Sequence, residues 1–133
     1  MNPEIAQLLH ECHTIAVVGM SPNPTRISHQ IGVYLAEAGY KVIPVYPGQD
    51  EIAGLKCYSS LEDIPEPVDL VNVFRRPEFV MDVAQSAVEI GAKAMWLQEG
   101  VINIGAKTFA ENNGLKVIMD RCIMVDHKYM PVR

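Results

Sequence analysis

The chain has 133 residues, 49% of them hydrophobic and 20% charged, a balance suited to one buried core and one domain over 1–133. Its net charge of −5 disfavours a general nucleic-acid binder, which carries a basic excess. No apolar run approaches the ~20 residues that cross a bilayer, so neither a nucleic-acid nor a membrane partner is expected.

Cys12, Cys57 and Cys122 are far apart and form no CxxC pair. The spacing implies neither a zinc site nor a disulfide framework and fits a reducing, cytoplasmic setting. Asn2-Pro3-Glu4 follows Met1 where a signal peptide would carry basic residues and an apolar core, so no leader is expected.

Taken in order, Asn2 and Pro3 read as the cap and first position of a helix carrying Ile5, Leu8 and Leu9. "TIAVVG", Thr14 to Gly19, is a buried first strand. Ser28 is the expected cap of a second helix, with Ile31, Tyr34, Leu35 and Ala38 on its apolar face. "KVIPVYP", Lys41 to Pro47, is strand two, although Pro44 removes a ladder donor. Residues 48–66 read as loop with a short helical turn at Ser60–Ile64.

"DLVNVF", Asp69 to Phe74, is strand three. Pro77 opens a helix with Phe79, Val80, Val83, Ala87 and Ile90 on one face. "AKAMWLQ" is strand four, a helix covers 103–112, and "LKVIMD" is strand five. Apolar strands alternating with helices predict an α/β fold. It is doubly wound in three layers around a five-stranded, mainly parallel sheet.

Such sheets bind ligands beyond the carboxyl ends of their strands, at the switch in strand order. In "VVGMSPNPTRIS" Gly19 permits a sharp turn, and the next helix offers free N–H groups to an anion. Ser21, Thr25 and Ser28 add hydroxyls, and Arg26 adds a fork suited to phosphate. The dinucleotide fingerprint would need glycines at Ser21 and Pro24, and an acid where Val45-Tyr46-Pro47 stands. NAD is therefore disfavoured. In "FRRPEF", Arg75 and Arg76 close strand three at the same edge and suit a second phosphate or an adenine ring.

These segments, with "KVIPVYPG", "AMWLQEGVIN" and "GLKVIMDRCIMVDH", resemble the small stand-alone CoA-binding proteins. Those are Rossmann-like domains related to the CoA-binding domain of the succinyl-CoA synthetase alpha subunit. The resemblance implies that Gly19, Met20, Ser21, Arg26 and Ser28 hold the diphosphate of coenzyme A. It implies that Val45, Tyr46, Pro47, Phe74, Arg75 and Arg76 surround the adenosine and its 3′-phosphate. Gln98 and Glu99 would lie toward the pantetheine arm. The related small proteins carry Asn-Pro where this chain has Tyr46-Pro47, and the synthetase has a lysine where Gln49 stands. The synthetase phosphohistidine lies in a second domain outside the resemblance, so ligase activity is not implied.

The expected role is non-catalytic binding of CoA or an acyl-CoA, as a carrier or sensor. Two alternatives stand beside it: an NAD(P)-binding regulatory domain, and a CoA-thioester enzyme using Cys122. Five helical positions set Cys122 and His127 about 140° apart, which disfavours a nucleophile–base pair. His10, His13 and His29 have no metal spacing.

Overall fold

The strands of the main sheet bury side chains on both faces because helices cover both. The computed structural model describes residues 2–131. The strands of this sheet are β1 (Thr14–Val18), β2 (Lys41–Val45), β5 (Leu70–Val73), β6 (Ala94–Leu97) and β7 (Lys116–Met119). All neighbours run parallel, in the order β2-β1-β5-β6-β7. The helices are α1 (Pro3–Glu11), α2 (Ile27–Glu37), α3 (Val80–Glu89), α4 (Ile104–Asn112) and α5 (Ile123–Lys128).

Period-two alternation splits each strand between two cores. Ile15, Val17, Leu70 and Trp96 pack with Leu9 of α1, Ile31 and Leu35 of α2 and Ile123 of α5. Ala16, Val18, Val71, Val73, Met95 and Leu97 pack with Val80 and Ala84 of α3 and Ala106 and Ala110 of α4. Trp96 is fully buried, and its indole N–H donates to Arg121 O at 2.8 Å. The predicted three-layer, doubly wound α/β fold is therefore present.

Asn2 caps α1 through its side chain, and Pro3 opens it, as predicted. Pro44 is accommodated because β2 is an edge strand of the main sheet. Its carbonyl accepts from Tyr58 N–H at 3.0 Å, and Tyr46 N–H donates to Tyr58 O at 2.9 Å on the same side. The missing proline N–H thus lies outside the ladder with β1.

Three expectations need correction. Ser28 does not cap α2: Arg26 holds that position in extended conformation, without a side-chain cap, and Ser28 lies inside the first turn. The 48–66 loop contains a hairpin, β3 (Glu51–Ile52) with β4 (Leu55–Lys56), as well as a 3₁₀ turn at Leu61–Asp63. The hairpin turns through Ala53 and Gly54, both at positive φ, the pattern of a type I′ turn. The helix expected from Pro77 begins as a 3₁₀ turn, Pro77–Phe79, before α3.

Asp69 ties the amino ends of the central strands together. Its carboxylate accepts from His13 N–H at 2.9 Å and Thr14 N–H at 3.0 Å, and pairs with Lys93 at 3.2 Å. Burial pushes this carboxyl upward, but the Thr14 and His13 amides and Lys93 outweigh it and hold it below the ordinary aspartate value. The unfolded chain therefore takes up this proton first as pH falls. The contribution is complete above the unfolded value, about pH 4, and is lost as pH drops through the lower folded value. Asp69→Asn is expected to cost about 1–3 kcal/mol at neutral pH and to flatten the acid limb of a melting-temperature profile. A parallel profile for the variant would contradict this assignment.

Candidate functional site

Chain order and strand order reverse between β1 and β5. That is where an open parallel sheet forms a crevice. The segments leaving the two strands meet closely there. Gly19 has φ +84°, and a Cβ on it would lie 2.2 Å from Phe74 O. Gly19 N–H donates to Val45 O at 2.9 Å, and Phe74 N–H to Val18 O at 2.8 Å. Three strand ends thus converge on the floor of one cleft.

The cleft encloses about 460 Å³. It brings together Gly19, Ser21, Arg26, Ser28, Val45, Tyr46, Pro47, Phe74 and Arg75, nine of the thirteen residues named from sequence. The other four lie elsewhere. Met20 is fully buried, its sulfur packed where a Cβ on Gly32 would stand. Arg76 is exposed and precedes the 3₁₀ turn at Pro77. Gln98 is buried; its amide donates to Asn72 Oδ1, and its oxygen accepts from Ile123 N–H at 3.4 Å. Glu99 lines a second, smaller cleft of about 250 Å³ with Asp120, Arg121, Cys122, Val125 and Asp126.

The loop after β1 is organised by its own polar groups. Ser21 N–H donates to Ser28 Oγ at 3.0 Å, and Asn23 N–H to Ser21 Oγ at 3.1 Å. Both serine oxygens therefore act as acceptors inside the loop, and neither hydroxyl proton is used by these bonds. Thr25 differs. Its hydroxyl donates to Asn23 Oδ1 at 2.8 Å, so that proton is engaged within the loop. The donor set read from sequence accordingly contracts to Ser21 and Ser28.

Positive charge at the cleft is uncommitted. Among the described residues Arg26 and Arg75 form no salt bridge. The Arg75 guanidinium lies 4.7 Å from the centroid of the Phe79 ring, and both border the cleft. Arg121 contrasts with them. Its guanidinium makes two 2.7 Å bonds to the buried Asp126 carboxylate, which push its pKa above the ordinary arginine value.

Sequence reasoning missed the far wall. Ser59, Ser60, Leu61 and Glu62 reach the cleft from the approach to the 3₁₀ turn and the turn itself, and Phe79, Asp82, Val83 and Ser86 from the cap and body of α3. The Pro77 helix start signalled that α3 opens at this edge, and the turn expected at 60–64 marked the other segment. Nothing local marked either as facing β1.

Cys122 is half-buried and immediately precedes α5. His127 is directed elsewhere: its Nδ1 lies 2.8 Å from the Tyr34 hydroxyl, and its ring meets Tyr34 and Tyr40 edge-on. Burial, with a smaller effect from His10, lowers the His127 pKa. Cys12 and Cys57 are buried, and burial drives the Cys12 thiol up to about 12. No three His, Cys, Asp or Glu side chains among the described residues converge as a metal site. No described helix is long and apolar enough to cross a membrane.

The model of a CoA-binding domain family matches residues 13–128. The uncharacterized protein YneT of Bacillus subtilis is 44% identical over 124 residues, covering 93% of this chain and 92% of that one. The alpha subunit of ADP-forming acetate–CoA ligase II from Pyrococcus furiosus is 32% identical over 116 residues. That alignment takes in 86% of this chain but only 24% of the ligase subunit. Among solved structures, a hypothetical protein from Pyrococcus horikoshii superposes with a TM-score of 0.94 at 36% identity, covering 98% of this chain and 92% of that one. The chain belongs to the CoA-binding domain family and is related to the CoA-binding part of the ADP-forming acetate–CoA ligase subunits.

Proposed function

We propose that this chain binds coenzyme A in the cleft between the Gly19 loop and the Phe74 segment, as a non-catalytic binding module. One observation carries the reading. Two uncommitted guanidinium groups and two hydroxyls with unassigned protons border a single cleft at the switch in strand order. Coenzyme A presents a diphosphate and a separate 3′-phosphate, so it has use for two cationic positions. Ser21, Ser28 and Arg26 flank the start of α2 and are assigned to the diphosphate. Arg75, backed by Phe79, is assigned to the 3′-phosphate.

The donor set fits coenzyme A better than a dinucleotide. The loop has no second glycine to admit a pyrophosphate onto bare backbone, and β2 ends in Val45-Tyr46-Pro47 without a carboxylate for ribose. The non-catalytic assignment rests on His127, which faces Tyr34 and leaves Cys122 without a histidine partner, and on Asp126, whose carboxylate is bound by Arg121.

Calorimetric titration with CoA and dephospho-CoA tests the assignment. Wild type is expected to bind CoA about tenfold more tightly, and Arg75→Ala is expected to bind both ligands alike. Equal binding of the two ligands by wild type would remove Arg75 from the 3′-phosphate. Absence of CoA binding would remove the function.

A further inference from the structure

We infer that His29 is a positioning residue that holds the Ser21 hydroxyl in donor geometry for the ligand's phosphates; the inference rests on the CoA reading above. Ser21 is fixed at three points. Its N–H donates to Ser28 Oγ at 3.0 Å, its carbonyl lies 2.8 Å from His29 Nδ1, and its Oγ accepts from Asn23 at 3.1 Å. A carbonyl only accepts, so His29 Nδ1 carries the proton and the bond is Nδ1–H to Ser21 O.

Ser28 and His29 are consecutive residues of the first turn of α2, and Gly32 one turn later receives the side chain of Met20. Helical positions 28, 29 and 32 lie on one face. That face holds residues 20 and 21 together against the start of the helix. With both ends of its backbone held and Oγ occupied as an acceptor, Ser21 keeps one freedom, rotation of its hydroxyl proton.

The physical need follows from the missing glycines. A glycine-rich loop contacts phosphate through backbone N–H groups that secondary structure already orders. Here Ser21 N–H is spent on Ser28, and a side-chain hydroxyl takes over the role. A side-chain donor costs rotamer freedom on binding unless the protein has removed that freedom beforehand. His29 supplies this preorganisation without touching the cleft, whose lining it does not join.

The test exploits ring geometry. Asparagine places an amide N–H near the position of Nδ1, and glutamine places one near Nε2. His29→Asn is expected to retain CoA affinity within about twofold, whereas His29→Gln and His29→Phe lose about five- to tenfold. Melting temperatures of all three identify any variant that fails to fold, and the Asn–Gln contrast stands without the Phe variant. CoA binding by wild type with equal affinities for His29→Asn and His29→Gln would overturn the clamp and leave the CoA reading standing. Failure of wild type to bind CoA would instead overturn the reading beneath it.

Discussion

Gly19→Ala is expected to destabilise the fold by about 2–5 kcal/mol. Two costs add. The residue sits at φ +84°, where an L side chain is strained by about 1–2 kcal/mol. The new Cβ would also stand 2.2 Å from Phe74 O and 3.1 Å from its carbonyl carbon. Neither side yields easily. Gly19 N–H is bonded to Val45 O, Phe74 N–H to Val18 O, and Val18 pairs with Val73 in the ladder. Gly39→Ala separates the two costs. Gly39 has φ +106° with nothing within 4 Å of an added Cβ, so only conformational strain remains. Urea unfolding of both variants should show Gly19→Ala clearly the worse. Equal losses would mean that the β1 and β5 ends do not press together at the cleft floor.

Arg26→Ala is expected to weaken CoA binding by about 1.5–3 kcal/mol, on the order of 10- to 100-fold, while leaving stability within about 0.5 kcal/mol. The two effects separate because Arg26 serves the fold through its backbone and the cleft through its side chain. Its carbonyl accepts from His29 N–H at 3.1 Å and Gln30 N–H at 3.2 Å to start α2, which alanine preserves. Its guanidinium is exposed and makes no salt bridge among the described residues. Arg26→Lys keeps the charge but loses the planar fork and should fall between wild type and alanine. Unchanged affinity in calorimetry would take Arg26 out of the site. A matching loss of melting temperature would make its role structural.

The strands were legible because each is a short, nearly continuous apolar run between helical patterns, as strands of a doubly covered parallel sheet are. Pro44 looked like an objection to strand two and was resolved by position, since the edge of the main sheet tolerates it. Ser28 shows where local rules stop. As a serine ahead of an amphipathic run it has the chemistry of a cap, yet its oxygen receives the amide of Ser21, seven residues back. That choice depends on how the loop folds onto the helix, which no capping preference encodes. The β3–β4 hairpin has strands of only two residues and α5 only six, too short to show a period.

The near wall of the cleft was readable for a topological reason. Residues at carboxyl ends of neighbouring strands must share one edge, so Gly19, Val45 and Phe74 meet wherever the strand order places them adjacent. Residues 59–62, with Asp82, Val83 and Ser86, reach the same cleft only through tertiary packing of the 3₁₀ segment against α3. Met20 differs from its loop neighbours. It directly follows Gly19, but its side chain turns away into the α2 core against Gly32.

The central claim is that this cleft takes coenzyme A in preference to a nicotinamide dinucleotide. Isothermal titration of the wild-type protein with CoA and with NAD in the same buffer tests it most directly. The predicted result is saturable CoA binding, with NAD weaker by at least about tenfold. Binding of NAD as tight as or tighter than CoA would contradict the account, because the Gly19 loop would then have to serve as a dinucleotide loop despite having no second glycine.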